Sequence, residues 1–285
     1  PSQGLRKGRK PASERNEEKR ASMAKEPSQG LRKGRKPASE RNEEKRASMA
    51  KEPSQGLRKG RKPASERNEE EVEVMSFKSQ SYENTARSII KKFEKRGMSG
   101  FYCADRNEAR EKVLELLEEG ASVTWGGSMT LEEAGIIEAV KAGPYRAIDR
   151  TAAATQEESR KLYGEIVCSD YFLMSTNAFT LDGELINIDG RGNRVACLIN
   201  GPANVIVVTG MNKLVKNVQE GLDRVRTMAA PPNSIRVGVS TPCSKTGICG
   251  DCTGEGCICC QEVITRASMI RGRIKIILVG EELGF

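Results

Sequence analysis

Short apolar runs alternate with amphipathic stretches from Tyr82 to the last residues of the chain. A continuous apolar run is typical of a strand buried on both faces, and helical spacing between such runs is typical of crossover helices. The pattern therefore predicts an α/β fold with a mixed, largely parallel sheet flanked by helices. The predicted strands are 101–104, 121–125, 145–148, 171–175, 195–199, 205–208, 235–239 and 273–279. The predicted helices are 82–97, 108–119, 130–141, 157–167 and 212–228.

The first quarter of the chain is a basic repeat. Residues 1–26 recur unchanged as 27–52, and 53–70 begin a third copy. The repeat has almost no large apolar residues, so we expect 1–75 to be a disordered tail. One interpretation is a basic arm for nucleic acid. The identity of the copies favours instead a recent duplication, or translated upstream sequence ahead of Met75.

The positive charge belongs to this tail. Residues 1–70 hold 21 Lys and Arg against 11 Asp and Glu, which leaves 26 against 28 for the rest of the chain. The charge of the remaining 215 residues therefore gives no indication of nucleic-acid binding, and these residues are enough for one α/β domain. No apolar run reaches the length of a membrane span, and no signal peptide is visible. With nine cysteines and no histidine, the chain is predicted to be cytoplasmic.

The stretch 176–196 carries two Asp-Gly turn signals, Asp182-Gly183 and Asp189-Gly190. Asp-Gly favours tight hairpin turns, so this region is predicted to be an antiparallel insertion on the sheet. It also collects more polar side chains than a hairpin needs. We therefore keep two interpretations, turn chemistry alone and the rim of a polar ligand site. The polar side chains are Asn177, Asp182, Asn187, Asp189, Asn193 and Arg194.

Gly126 and Gly127 follow the predicted strand 121–125. A glycine turn between a strand and a helix can offer backbone donors to an anion, and Thr130 with Glu133 matches a capping box for the helix that follows. A plain tight turn is the alternative, and no Walker or dinucleotide motif is present. Asn212 is predicted to cap the helix 212–228. Lys213 in its first turn is either a solvated lysine or a cation for a bound anion.

Six cysteines crowd into residues 243–260, a segment with few core-forming side chains. All-thiolate ligation suits zinc or an iron–sulfur cluster, while redox disulfides and incidental thiols are the alternatives. The predicted metal ligands are Cys243, Cys249, Cys252 and Cys259, with Cys257 and Cys260 as spares. The remaining cysteines, Cys103, Cys168 and Cys197, have apolar neighbours and are predicted to be buried.

Several blocks together resemble the LUD-domain family over about residues 78–285. The longest are 125–133, 176–196 and 274–285, and 212–213 and 241–252 add to them. The resemblance implies a fold similar to the NagB/RpiA/CoA-transferase group and a link to lactate utilisation beside iron–sulfur oxidoreductase subunits. It transfers no catalytic residues. The cysteine segment departs from the family pattern at Thr253-Gly254 and by having cysteine at 257 and 260.

The expected function is binding of a small anionic metabolite of the 2-hydroxy-acid type, beside a thiolate metal site in the loop 241–260. The alternatives are a non-catalytic, metal-stabilised subunit of an electron-transfer complex, and a CoA-ester or sugar-phosphate transferase or isomerase. A homo-oligomer is a further possibility. Glu132, Glu133, Asp182 and Asp189 are the candidate acids and bases. The candidate ligand-binding residues are Gly126, Gly127, Ser128, Thr130, Glu133, Asn177, Asp182, Asn187, Asp189, Gly190, Asn193, Arg194 and Lys213.

Overall fold

The computed structural model describes residues 76–285, so the predictions for the tail 1–75 lie outside the described residues. The strands are β1 (Ser99–Cys103), β2 (Ser122–Trp125), β3 (Arg146–Ile148), β4 (Tyr171–Met174), β5 (Ala178–Thr180), β6 (Leu185–Asp189), β7 (Asn204–Gly210), β8 (Leu214–Val215), β9 (Gln261–Thr265) and β10 (Ile274–Val279). The α-helices are α1 (Phe77–Lys95), α2 (Arg106–Leu116), α3 (Met129–Glu133), α4 (Ile136–Ala142), α5 (Gln156–Val167), α6 (Asn193–Ile199), α7 (Val218–Arg224), α8 (Ala230–Arg236) and α9 (Pro242–Thr246). None of the helices in this part of the chain is long and apolar enough to cross a membrane.

Six strands form a parallel sheet in the order β1-β10-β7-β4-β2-β3. Helices cover both faces of the sheet, and side chains that are neighbours along a strand therefore pack into different hydrophobic cores. Leu173 packs with α2, α3 and α4 on one face, whereas Phe172 packs with α1, α5 and α6 on the other. The predicted α/β fold with a largely parallel sheet is therefore confirmed.

The chain leaves two neighbouring strands of this sheet in opposite directions. After β2 it passes through α3 and α4 to β3 on one side, and after β4 it continues to β7 on the other. Parallel crossovers are right-handed, so the two connections run over opposite faces of the sheet. Such a point of divergence opens a crevice at the carboxyl ends of the strands. The polar segments after β2 and β4 meet at this crevice.

The predicted insertion forms a sheet of its own, in the order β8-β5-β6-β9. Asp182-Gly183 makes the predicted turn between the antiparallel strands β5 and β6, and Gly183 has φ +81°. Asp189-Gly190 makes no hairpin, because β6 leads from there into α6. The predicted strand 195–199 is wrong for the same reason. A short apolar run buried on several sides does not distinguish a strand from a helix.

The predicted helix 130–141 is interrupted at Gly135, which has φ +64°. The capping box of Thr130 and Glu133 is also wrong. Ser128 caps α3 by accepting a hydrogen bond from the Leu131 amide at 3.4 Å. The side chains of Thr130 and Glu133 instead contact the segment 283–284. Thr130 also contacts a buried lysine.

Two further predictions around residues 212–239 are wrong. Asn217, not Asn212, caps the helix α7, and the Asn212 side chain accepts from the Leu283 amide at 3.2 Å. Residues 230–236 form the helix α8 where a strand was predicted over 235–239. Residues Val225–Ala229 form a π-helical turn between α7 and α8, so the backbone stays helical from α7 through Pro231 and Pro232.

Candidate functional site

A cavity of about 640 Å³ lies at the crevice between the carboxyl ends of β2 and β4. The segments that follow β2, β3, β4, β6 and β7 all contribute to its wall. Ten of the predicted ligand-binding residues line it. They are Gly126, Gly127, Ser128, Thr130, Asn177, Asp189, Gly190, Asn193, Arg194 and Lys213.

Three predicted residues lie elsewhere. Asp182 is in the exposed turn between β5 and β6, where its carboxylate is 3.5 Å from the Lys92 ammonium. Glu133 accepts a hydrogen bond from the Gly284 amide at 2.8 Å. Asn187 is fully buried and accepts from Arg194 at 2.6 Å. Of the four candidate acids and bases, only Asp189 lines the cavity, and Glu132 is exposed outside it.

The Arg194 guanidinium holds the polar stretch together. Its Nη1 donates to Asn187 Oδ1 at 2.6 Å and to the Ser175 carbonyl at 3.3 Å. Its Nη2 donates to Asn177 Oδ1 at 3.0 Å and to the Ile188 carbonyl at 2.8 Å, and Nε lies 3.3 Å from the Asp189 carboxylate. An arginine has five N–H groups, so these protein acceptors occupy all of them. Arg194 therefore shapes the cavity wall and has no donor left for a ligand.

Lys213 is buried, with 4% of its surface exposed, so the solvated alternative is wrong. Its Nζ donates to Thr130 Oγ1 at 2.9 Å and to Ser175 Oγ at 3.1 Å. No carboxylate among residues 76–285 pairs with it. Burial, followed by the guanidiniums of Arg224 and Arg194, lowers the pKa of Lys213 from 10.5 to about 7, against the opposing effect of Glu133. A buried lysine with a strongly lowered pKa inside a cavity is a candidate functional group.

Two arginines that the sequence did not single out converge on Gly127. A Cβ atom on Gly127 would lie 2.7 Å from Arg150 Nη2 and 3.5 Å from Arg236 Nη2. Arg150 follows β3 and Arg236 ends α8, and within the described residues neither is paired with an acid. Glycine at 127 therefore leaves room for two guanidiniums to approach one backbone position.

The charge of the cavity wall is strongly unbalanced. Four arginines and one lysine line the cavity, namely Arg150, Arg191, Arg194, Arg236 and Lys213. Among residues 76–285, the one acid in the wall is Asp189. Its Oδ1 accepts from the Gly192 amide at 3.0 Å, and its buried Oδ2 lies 3.3 Å from Arg194 Nε in an ion pair. The wall thus offers surplus positive charge.

The glycine turn offers fewer donors than predicted. The Gly126 amide donates to the Leu173 carbonyl at 3.0 Å, so it is not available to an anion. The amides of Gly127 and Ser128 take no part in the backbone hydrogen bonds of the described residues. Gly127 and Ser128 are therefore the backbone positions that remain for a ligand.

The cysteine-rich segment forms part of the same wall. Ile258 lines the cavity and packs against Gly190, where a Cβ atom would lie 3.2 Å from Ile258 Cα. The Cys260 amide donates to the Asp189 carbonyl at 3.0 Å. The segment is thus attached to the end of β6, next to the candidate ligand-binding residues.

Several of the cysteines lie near one another. Burial, followed by the nearby thiol groups of Cys257, Cys249, Cys243 and Cys252, raises the pKa of Cys259 to about 12. In the part of the chain that the structure describes, no group of three or more His, Cys, Asp or Glu side chains is arranged to hold a metal ion. The metal site therefore stays a prediction from the sequence.

Of the other cysteines, Cys103 and Cys197 are buried as predicted, and burial raises the pKa of each thiol to about 11. Cys168 is exposed at the end of α5, so that prediction is wrong.

The LUD domain family model matches residues 86–279, which is well over half of the 285-residue chain. No curated protein matches. A solved structure of a DUF162 family protein from Deinococcus radiodurans is similar at 15% identity with a TM-score of 0.41, over 72% of this chain and 99% of that one. The structure of eIF2B delta from Chaetomium thermophilum is similar at 16% identity with a TM-score of 0.27, over 37% of this chain and 46% of that one. Likenesses this distant say nothing about what the cavity binds.

Proposed function

This chain belongs to the LUD-domain family, and from that premise we propose that its cavity binds a small anionic metabolite of the 2-hydroxy-acid type. The proposal includes a cytoplasmic role linked to lactate utilisation, as the family resemblance implies. The observation that carries it is the set of four arginines in the wall, beside one carboxylate among the described residues. Positive charges gathered in a concave site attract an anion and raise its local concentration.

The parts of a 2-hydroxy acid match different parts of the wall. Arg150 and Arg236 would bind the carboxylate near Gly127, because guanidinium forks match carboxylate geometry. The backbone amides of Gly127 and Ser128, which make no backbone hydrogen bond within the described residues, would donate to the carboxylate or to the 2-hydroxyl oxygen. A cavity of about 640 Å³ is in the usual size range of small-molecule sites.

Isothermal titration of the full chain with L-lactate and with pyruvate tests this proposal. We expect the double variant Arg150→Gln/Arg236→Gln to bind at least about tenfold more weakly, because charged hydrogen bonds contribute about 1.5–3 kcal/mol each. Arg160→Gln is the matched control, since Arg160 is on α5 but does not line the cavity. Its affinity should equal that of the unmodified chain.

Absence of any heat or competition with either acid would contradict the proposed function. Inorganic phosphate serves as a competitor in the same experiment. If phosphate bound through the same two arginines and more tightly than either acid, the sugar-phosphate alternative would replace the 2-hydroxy acid.

The thiolate metal site stays a prediction from the sequence. Binding of zinc or of an iron–sulfur cluster would require three or four of these neighbouring cysteines to converge on one point, because no such group is present among the described residues. Metal analysis with an absorption spectrum of protein purified without oxygen tests it. Iron with acid-labile sulfide would support the cluster and the expected association with iron–sulfur oxidoreductase subunits. One zinc per chain would indicate a structural site, and absence of metal would contradict the prediction.

A further inference from the structure

We propose that Lys213 is a nucleophile that forms an imine with a small 2-oxo acid bound in the cavity. This inference rests on the anion-binding function proposed above and adds the chemical class of the compound that reacts. It starts from the environment of one atom, the Nζ of Lys213.

The hydrogen bonds of Lys213 suit a neutral amine better than an ammonium ion. An ammonium has three N–H donors, and the described residues supply two acceptors, Thr130 Oγ1 and Ser175 Oγ. The third N–H would be buried without a partner, which is costly. A neutral amine has two N–H groups and one lone pair. Both of its donors are then used, and the lone pair remains free.

The charges around Lys213 act in the same direction. Arg194 and Arg224 are the nearby cations, and Glu133 is the nearby acid, with one carboxylate oxygen already bound to the Gly284 amide. Burial and these two guanidiniums keep the pKa of Lys213 at about 7. Lysines that are desolvated or placed beside another cation act as nucleophiles toward carbonyl compounds.

The same wall selects the carbonyl compound. An amine nucleophile requires an aldehyde or a ketone, and the arginines require an anion. A 2-oxo acid carries both groups on adjacent carbon atoms. With its carboxylate near Arg150 and Arg236, the carbonyl group stays inside the cavity that Lys213 also lines.

The reaction is a condensation without net oxidation. The Nζ lone pair attacks the C2 carbonyl carbon and forms a C–N bond, and a proton moves from nitrogen to the carbonyl oxygen. The resulting carbinolamine loses its hydroxyl group and the second nitrogen proton as one water molecule, which leaves the imine. Lactate has no carbonyl group, so it can occupy the site but cannot react.

Reductive trapping of the full chain tests this step. The protein is incubated with pyruvate and sodium cyanoborohydride at pH 7.5, and peptide mapping by mass spectrometry locates the label. At this pH, roughly one in a thousand ordinary exposed lysine side chains is in the neutral amine form. We therefore expect at least about a hundredfold more label at Lys213 than at the exposed Lys216, and L-lactate should suppress the label at Lys213 alone.

The variants Lys213→Arg and Lys216→Arg extend the test. Lys213→Arg should lose the specific label, whereas Lys216→Arg should keep it. Mapping on the unmodified chain is decisive even if Lys213→Arg does not fold. If pyruvate binds by calorimetry and Lys213 is not labelled above surface lysines, the imine is excluded and the anion-binding function stands. If neither acid binds, both proposals fail.

Discussion

Replacing Arg194 with methionine is expected to lower the free energy of unfolding by about 3–5 kcal/mol. The guanidinium supplies hydrogen bonds to Asn177, Asn187 and two backbone carbonyls, and it neutralises the Asp189 carboxylate, which is 8% exposed. Methionine fills similar space but leaves these acceptors buried without donors. Removing one partner of a buried charged network costs far more than the network itself contributes.

Urea unfolding followed by circular dichroism measures this loss. Arg226→Met is the matched control, because Arg226 forms a surface ion pair with Glu262 at 2.8 Å and should change the stability by about 1 kcal/mol or less. Arg194→Lys separates charge from geometry. Lysine keeps the charge but has three donors and no planar fork, so we expect most of the loss to remain. If the lysine variant were as stable as the unmodified chain, the hydrogen-bonding role assigned to Arg194 would be wrong.

The second large effect is a change in the pH dependence of stability on replacing Lys213 with methionine. The pKa of Lys213 is about 7 in the folded chain and 10.5 in the unfolded chain. Between these values the unfolded state holds a proton that the folded state lacks, so raising the pH stabilises the fold through this group. Below about pH 7 the folded state must bury a charged lysine. The unmodified chain should therefore gain about 1.4 kcal/mol per pH unit over Lys213→Met from pH 7.5 to 8.5.

Denaturation curves at several pH values give this difference directly. Cysteine thiols with raised pKa values titrate alike in both proteins, so they cancel in the difference. Lys216→Met is the control and should run parallel to the unmodified chain, since Lys216 is exposed. Parallel curves for Lys213→Met as well would show that the lysine keeps its proton in the folded state, and the nucleophile proposed above would lose its physical basis.

The sheet could be predicted from the sequence because its central strands contain short apolar runs. The run Val205–Val208 is one example, and its burial on both faces of the sheet favours apolar side chains throughout. Predictions of shorter elements were wrong where the local sequence pattern and the burial in the folded chain disagree. The run Val195–Ile199 is as apolar as a strand, but Gly192 at φ +81° precedes a helix that buries Val195, Cys197 and Leu198. No local signal separates the two cases.

The site was predictable only where its residues share one stretch of chain. Asn177, Asp189 and Arg194 were found because they cluster between 176 and 196. Arg150 and Arg236 were missed because each is an ordinary basic residue until β3 and α8 bring it to Gly127. Lys213 was misplaced because Asn212 resembles a helix cap, whereas the folded chain uses Asn217 and buries the lysine. Contacts between distant segments decide these positions.

Ile258 packs against Gly190, and the Cys260 amide donates to the Asp189 carbonyl. These contacts connect the cysteine-rich segment directly to the cavity wall. If oxidation or metal binding on this segment shifts Ile258, it changes the affinity of the cavity for the proposed acid. Linkage then requires that the bound acid changes the affinity for metal by the same factor. An affinity measured at a single redox state would then describe the cavity in only one state of the cysteine-rich segment. The affinity has to be measured in both states of the segment to describe how the protein binds its ligand.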